Sequence, residues 1–253
     1  FSSYNKHIKQ QILNDGGHFE LTPMYHASII EDILDIINLV ENSKYKTKYN
    51  TQYLRKTLNL MFLWLDKMTH NDGEISYFND SVLNEYPNKH CLINYSKKIG
   101  LDINNKNYIY NDYKSFLPSG YFIFNKNNIK FIADIGNIKA NYIPGHTHAD
   151  ALSYELSLKD KKFITNLGIS TYENNITRLN QRGTASHNTV TVNDENSSEI
   201  WSSFRVGKRS KIIKKIITSE NNNIFLTASH NGYSKFLNKV IHERNWEIGK
   251  NYI

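Results

Sequence analysis

The hydrophobic periodicity of the chain changes once, in the polar segment GLDINNKN, and this change constrains the fold more than any other feature. Before the change, apolar residues recur at the spacing of an amphipathic helix in two successive segments. They are Ile29, Ile33, Ile36, Ile37 and Val40 in the first segment, and Leu54, Leu58, Met61, Leu65 and Met68 in the second. After the change, apolar and polar residues alternate in short runs separated by turn residues, which predicts antiparallel strands.

Helices followed by strands, without alternation, predict an α+β two-domain fold. The strand-like runs read GYFIFNK, IKFIADI, ALSYELSL, KKFITNL, HNTVTVN, KIIKKIIT, NIFLTAS and VIHERNWEI. They are typical of an antiparallel β-sandwich, with no helix of useful length between them. We expect the helical domain over residues 1–104 and the sandwich over 105–253, with a substrate groove between them. Because the chain begins in a helix pattern and ends in a strand pattern, we expect an internal fragment whose sandwich is truncated at its C-terminus.

Composition excludes several classes of protein. The 39% hydrophobic content is sufficient for a globular core, and no apolar run approaches the roughly 18 residues of a membrane helix. The formal net charge of +7 favours an anionic partner, but the lysines are scattered, which argues against nucleic acid. Cys91 is the single cysteine, so an internal disulfide and a multi-cysteine zinc site are excluded.

The stretch NDGGHFELTPMYH concentrates His18, Glu20, Tyr25 and His26 around a Gly-Gly turn. Thr22 followed by a proline predicts the start of a helix at this point. Tyr25 would then lie in the first helical turn, where the positive end of the helix dipole favours a tyrosinate. The alternative is that the tyrosine and the histidine only pack and hydrogen-bond there.

Two further stretches carry chemically active side chains. YIPGHTHADALSYELSL places His146, His148 and Asp150 at every second position, so that they share one face of an extended chain. This spacing leaves three interpretations open: a metal site, a catalytic site or a structural polar edge. One form of the metal interpretation is a metal-dependent hydrolase that uses these three side chains. TRLNQRGTASHNTVTVN contains Arg178 and Arg182, whose forked donors suit a carboxylate or sulfate, although an ordinary solvated loop is the alternative.

In combination and in this order, DGGHFELTPMYH, GHTHADALSYEL, NLGISTYE and RGTASHNTVTVN resemble the heparinase II/III-like family of polysaccharide lyases. The resemblance extends from about Gln10 to Trp246. It implies a partial α/α toroid followed by an antiparallel β-sandwich, with the polymer bound in the cleft between them. It also implies β-elimination on an acidic, uronic-acid-containing glycan by a periplasmic or secreted protein, without membrane insertion and without a required cofactor.

The resemblance assigns roles to individual residues of this chain. The predicted catalytic residues are Tyr25, which transfers the proton, and His146. Separately from the resemblance, we expect Glu20, His26, Tyr172, Arg178 and Arg182 to bind the substrate, because they lie in or beside the stretches quoted above. The family's structural zinc ligands correspond to His148, Asn166 and His187. For Tyr25 to act as a base, cationic neighbours such as His26, His146, Arg178 or Arg182 would have to favour its ionised form.

Two departures from the family pattern affect these expectations. Asn166 occupies the place of an Asp, and a neutral amide is a weaker zinc ligand than a carboxylate, so a zinc site and a hydrogen-bonded polar cluster both stay open. The family also has an Asn earlier in the toroid, in a region that would precede Phe1, and we therefore expect poor catalysis from this chain by itself. The alternative function is a non-catalytic glycan-binding or polysaccharide-assembly protein with the lyase fold.

Overall fold

The computed structural model describes residues 1–82, 84–103, 113–116, 118–250 and 252–253. Helices occupy the first part of the chain and antiparallel sheets the second, so the predicted α+β order is confirmed. The predicted domain boundary between residues 104 and 105 lies outside the described residues and stays a prediction.

The helical part contains both predicted amphipathic helices. The helices described before residue 104 are α1 (Ser2–Gln11), α2 (Pro23–Glu41), α3 (Gln52–Lys67) and α4 (Lys89–Lys98). Thr22 precedes α2 with an extended backbone, as its position before Pro23 predicts. The apolar stripes of α2 and α3 pack together, and Ile33, Ile37 and Leu58 are fully buried in their shared core. None of the helices in the described residues has both the length and the apolar content to cross a membrane.

The strands of the described residues form three antiparallel sheets. The first has the order β1 (Tyr113–Phe116), β2 (Tyr121–Lys126), β3 (Ile129–Asp134), β4 (Tyr154–Leu158) and β5 (Lys161–Ile164). The second places β9 (Asn223–His230) between β8 (Ile212–Glu220) and β10 (His242–Ile248), and β6 (Ile200–Trp201) pairs with β7 (Arg205–Val206) in a short hairpin. Each sheet strand except β1, β6 and β7 matches a run that the alternation pattern predicts.

Two apolar clusters fix the larger units to one another. Phe122 and Phe131 of the five-stranded sheet share a core with Leu226 and Trp246 of the three-stranded sheet. A further cluster contains Trp64 of α3 together with Phe78, Tyr121 and Ile132, and it joins the helices to the five-stranded sheet. Burial of each such side chain contributes about 1.5 to 3 kcal/mol, so both contacts are substantial.

Three predictions about the second half of the chain are wrong. The histidines of GHTHAD do not lie on a strand, because Thr147 N donates to Pro144 O in a turn and Ala149 N donates to Arg182 O. HNTVTVN is not a strand, because its polar side chains bind carbonyl groups of the preceding segment instead of a sheet partner. The helix α5 (Ile176–Arg182) also interrupts the strand region.

Candidate active site

Buried polar contacts fasten the helices to the sheet beside the predicted site. The His70 ring follows α3 and lies between two side chains of β4, with Nδ1 2.9 Å from Ser157 Oγ and Nε2 2.8 Å from Glu155 Oε2. The second oxygen of Glu155 accepts from the backbone N–H of Asn166. Lys130 of β3 donates to backbone carbonyls at the end of α3. Because all of these groups are buried, the two layers meet in one defined arrangement.

Tyr25 lies in the first turn of α2 and meets residues from two distant parts of the chain. Its hydroxyl oxygen is 2.5 Å from the hydroxyl oxygen of Tyr172. Its ring centroid is 4.6 Å from that of His146. The structure therefore brings together both predicted catalytic residues and one predicted substrate-binding residue, at a surface that remains open to solvent.

Glu20 contacts His146, and this contact determines the orientation of the imidazole. Glu20 Oε2 is 3.1 Å from His146 Nδ1, and the two side chains are 17% and 30% exposed. A carboxylate is an acceptor, so Nδ1 carries a hydrogen, and in the neutral form of the ring the lone pair is on Nε2. The predicted role of Glu20 is substrate binding, whereas its observed contact is with His146.

Phe204 completes an aromatic wall that the sequence analysis missed. Its ring is parallel to that of Tyr172, with an angle of 8° and 6.2 Å between centroids, and it is 6.2 Å from the His146 ring. Phe204 is 42% exposed at the turn of the β6–β7 hairpin. The sequence around it, WSSFRV, contains no signal for a site beyond an aromatic residue in a turn.

Arg178 and Arg182 do not present their charges to the cleft. Both side chains are fully buried. Arg178 forms a forked ion pair with Asp80, with Nη2 2.7 Å from Oδ2. Arg182 donates to backbone carbonyls of Thr147, Ser202 and Arg205. Direct substrate contact by these arginines, predicted from their spacing, is therefore not seen, and they support the segments that carry the site.

His26 is also withdrawn from the cleft. It is fully buried against Trp64, with Nε2 2.9 Å from Met61 O and Nδ1 accepting from the backbone N–H of His18. Burial lowers the pKa of His26 to about 3, so the ring is neutral near pH 7. The predicted substrate contact of His26 is replaced by a role in fixing the loop that precedes α2.

The electrostatics around Tyr25 oppose a tyrosinate. Burial raises the pKa of Tyr25 well above its ordinary value, and the hydrogen bond with Tyr172 and the carboxylates of Asp80 and Glu20 raise it further. Arg178 and Arg182 are engaged elsewhere, and His26 is neutral near pH 7. These surroundings favour the neutral phenol, and the expectation of a base formed by ionising Tyr25 stays a prediction that they do not support.

A second cluster lies behind the cleft and contains the predicted metal ligands. His148 Nδ1 is 3.2 Å from His187 Nε2, and His187 Nδ1 is 3.1 Å from Asn166 Oδ1. His148 Nε2 is 2.8 Å from Asp80 Oδ1. Burial lowers the pKa of His148 despite the opposing effect of Asp80, and burial with the nearby His148 lowers that of His187 well below its usual value. Asp80, in the unremarkable stretch YFNDS, is a central residue that sequence reasoning missed.

These donors do not fit a structural zinc ion. Two imidazole nitrogens separated by 3.2 Å resemble a ligand pair, since two zinc ligands at about 2.0 to 2.1 Å and a tetrahedral angle lie about 3.3 Å apart. Asn166, however, lies against the opposite nitrogen of His187 rather than facing the same point. Within the described residues, no group of three or more His, Cys, Asp or Glu side chains is arranged to hold a metal. His146, His148 and Asp150 likewise do not converge, which removes the basis for a hydrolase that uses all three.

Comparison with known families agrees with this arrangement of helices, sheets and site. A family model described as heparinase II/III-like, C-terminal, matches residues 110–253, and one described as heparinase II/III N-terminus matches residues 1–110. The chain belongs to the heparinase II/III-like family. A heparin-sulfate lyase of Bacteroides stercoris is 26% identical over 232 residues, covering 85% of this chain and 34% of that protein. A heparin-sulfate lyase of Pedobacter heparinus is 25% identical over 215 residues, covering 77% of this chain and 32% of that protein. The chain thus spans about a third of the length of these relatives.

Solved structures of this heparinase family share the fold. A crystal structure of heparinase III has a TM-score of 0.74 at 18% identity, over 96% of this chain and 40% of that chain. The heparan sulfate lyase HepC of Pedobacter heparinus has a TM-score of 0.69 at 19% identity, over 97% of this chain and 38% of that chain. At these identities the likeness shows the fold and leaves the chemistry to be argued from the site.

Proposed function

We propose that the protein containing this chain is a polysaccharide lyase that cleaves an acidic, uronic-acid-containing glycan by β-elimination. The observation that carries the proposal is the open constellation of Tyr25, His146 and Glu20, in which a phenol lies beside an imidazole oriented by a carboxylate. The names of the heparin-sulfate lyases that it resembles support a heparan-type glycan as the substrate class.

In the proposed reaction, His146 Nε2 removes the proton from the carbon next to the uronate carboxylate. The electron pair of that C–H bond forms a carbon–carbon double bond, and the glycosidic C–O bond breaks with its electrons remaining on oxygen. Tyr25 donates its phenolic proton to this leaving oxygen, and the Tyr172 hydroxyl donates to the resulting tyrosinate. We assign the base to His146 because the surroundings of Tyr25 hold it neutral.

The substrate carboxylate needs a donor that stabilises the charge developing during proton removal. Arg178 and Arg182 are buried and engaged, so they do not supply it. We propose that this donor comes from outside residues 1–253, as the family resemblance implies, and that the elimination itself requires no metal.

We assign the wall formed by Tyr172 and Phe204 to a sugar ring next to the cleaved bond. Both rings are about two-fifths exposed, at 41% and 42%, and both lie beside His146. The Arg178 guanidinium packs against them at 5.2 and 5.3 Å from the two centroids, which supports their orientation from behind. An aromatic face can stack on the apolar face of a sugar while the charged substituents remain outward.

At the level of the whole protein, we propose that the helices described above are the last part of an α/α toroid and that the two larger sheets form a β-sandwich. Their shared apolar core supports this architecture. We also propose a periplasmic or secreted location, from the family resemblance alone.

The proposal is tested by incubating the protein with heparan sulfate and with a neutral glucan and measuring the ultraviolet absorbance of an unsaturated uronate. We expect absorbance to increase with heparan sulfate alone. Affinity for this polymer should fall with added salt, because the attraction is between net charges of opposite sign. Salt-sensitive binding without any product would favour the non-catalytic glycan-binding function, and equal binding of both polymers would contradict an acidic substrate.

A further inference from the structure

The side chains of the cluster behind the cleft form a line of hydrogen bonds, and the backbone of Gln181 is a further hydrogen-bond partner beside the His187 ring. The line passes from Asp80 through His148 and His187 to Asn166, with separations of 2.8, 3.2 and 3.1 Å. All four side chains are at least nine-tenths buried. Water therefore does not compensate a mismatched pair, and each contact needs one donor and one acceptor.

Asp80 sets the direction of the line. Its carboxylate accepts two hydrogen bonds from Arg178, so it is also the acceptor for His148, whose Nε2 carries the hydrogen. A neutral imidazole has one N–H, which leaves His148 Nδ1 as an acceptor and makes His187 Nε2 the donor to it. Arg178 already pairs with both oxygens of Asp80, so His148 faces no unpaired carboxylate that would hold a second proton on its ring.

His187 Nδ1 then carries a lone pair that requires a hydrogen-bond donor. The side-chain amide of Asn166 contains such a donor. In the structure the amide oxygen of Asn166 faces this nitrogen, while its Nδ2 is buried without a hydrogen-bond partner among the described residues. A half-turn of the amide, whose two ends have nearly the same shape, places Nδ2 against His187 Nδ1. This rotation removes the unpaired donor and completes the line.

We propose that Asn166 takes the place of a metal ion in this chain, because its amide donates the hydrogen that lets the cluster close by hydrogen bonds alone. An Asp at position 166 accepts only, so it would draw the hydrogen of His187 to Nδ1. The lone pairs of His148 Nδ1 and His187 Nε2 would then face each other across 3.2 Å. Asn166→Asp should therefore leave two facing nitrogen lone pairs beside a new negative charge, and it should raise the zinc affinity of the cluster above that of the unsubstituted protein.

The donor directions can be measured in the unsubstituted protein. Proton–nitrogen correlation spectra of protein labelled with ¹⁵N-histidine distinguish the two neutral tautomers and the charged form. We expect His148 and His187 both to carry hydrogen on Nε2. A His187 with hydrogen on Nδ1, or a His148 with hydrogen on both nitrogens, would overturn the proposal without any substitution being made.

Metal content gives the second test. After purification without added zinc and dialysis against a small zinc excess, the unsubstituted protein should retain less than about a tenth of an equivalent, and Asn166→Asp should retain several times more. Chelator should lower the Tm of that variant and leave the Tm of the unsubstituted protein unchanged.

Two variants serve as controls for the metal measurement. Asn188→Asp adds the same carboxylate next to His187 at a side chain that binds Tyr154 O, and it should gain no zinc. Adding His187→Ala to Asn166→Asp should remove the zinc. A full equivalent of zinc in the unsubstituted protein would contradict the proposal, and so would an Asn166→Asp protein that is zinc-free with an unchanged Tm.

Discussion

His146 and His148 are two residues apart in the chain, yet they occupy opposite kinds of environment. His146 has a 30% exposed side chain, and its Nδ1 contacts the carboxylate of Glu20. His148 is buried, and both of its nitrogens are engaged, by Asp80 and His187. The comparison shows that one short segment carries both a partly exposed imidazole and a buried one that is held on two sides.

The largest effect is expected on the cleft side. Tyr25→Phe should lower kcat on heparan sulfate by about 10²-fold or more, because it removes the proton donor to the leaving oxygen. Tyr172→Phe is the control, since it keeps that donor and removes one supporting hydrogen bond. Affinity for the glycan, measured by titration, should change little in either variant. A Tyr25→Phe protein with more than about a tenth of the normal kcat would assign proton donation to another group.

On the buried side, Asp80→Asn should lower the free energy of unfolding by about 3 to 5 kcal/mol, because it leaves the Arg178 charge without its partner. Glu243→Gln, which removes an exposed pair with Lys214, should cost less than about 1 kcal/mol. Urea titrations followed by circular dichroism measure both values. If the two substitutions lowered the free energy of unfolding equally, the buried cluster of Asp80, His148, His187 and Asn166 would not stabilise the GHTHAD segment.

Glu20→Gln tests whether the carboxylate orients His146. We expect kcat to fall about tenfold, since a charged hydrogen-bond partner is replaced by a neutral one. Glu173→Gln, at an exposed glutamate on the segment that follows Tyr172, should leave kcat unchanged. An increase in KM with constant kcat would instead return Glu20 to substrate binding, as the sequence first indicated.

Phe204→Ala should raise KM about tenfold through the loss of apolar contact, with kcat changed far less. Trp201→Ala is the matched control, because Trp201 is an exposed aromatic side chain on the same hairpin. Steady-state kinetics with glycans of defined length separate the two variants. If Trp201→Ala raised KM as much as Phe204→Ala, the hairpin would bind the glycan through nonspecific apolar contacts, and Phe204 would have no specific role in stacking on a sugar ring.

The smallest effect concerns pH and the buried histidines. The pKa values of His148 and His187 are lowered in the folded protein, so below about pH 6.5 the unfolded chain binds protons that the folded chain does not. Stability should therefore fall as the pH falls from 7 to 5.5. His187→Ala should reduce the slope by about one proton. If His187→Ala left the slope of stability against pH unchanged, the histidine cluster would bind a proton in the folded protein.

The sequence predicted the order of helices and strands because periodicity reports which face of an element is buried. The residues themselves also drew attention to Tyr25, His146 and His148, and the family resemblance added Asn166 and His187. It did not predict the roles of the arginines, because spacing shows that two guanidinium groups lie near each other and not whether Asp80, 98 residues from Arg178, reaches one of them first. Phe204 was missed for the same reason, since its contacts are set by tertiary packing.

Arg182 links parts of the molecule that are far apart in sequence. Its guanidinium holds carbonyls on both the GHTHAD segment and the β6–β7 hairpin, and its own carbonyl accepts from Ala149 N. The two walls of the cleft therefore share a single anchor. An engineer who wished to change specificity by transplanting the hairpin from a relative would have to carry over the anchor and both backbone paths that it holds, as one inseparable unit.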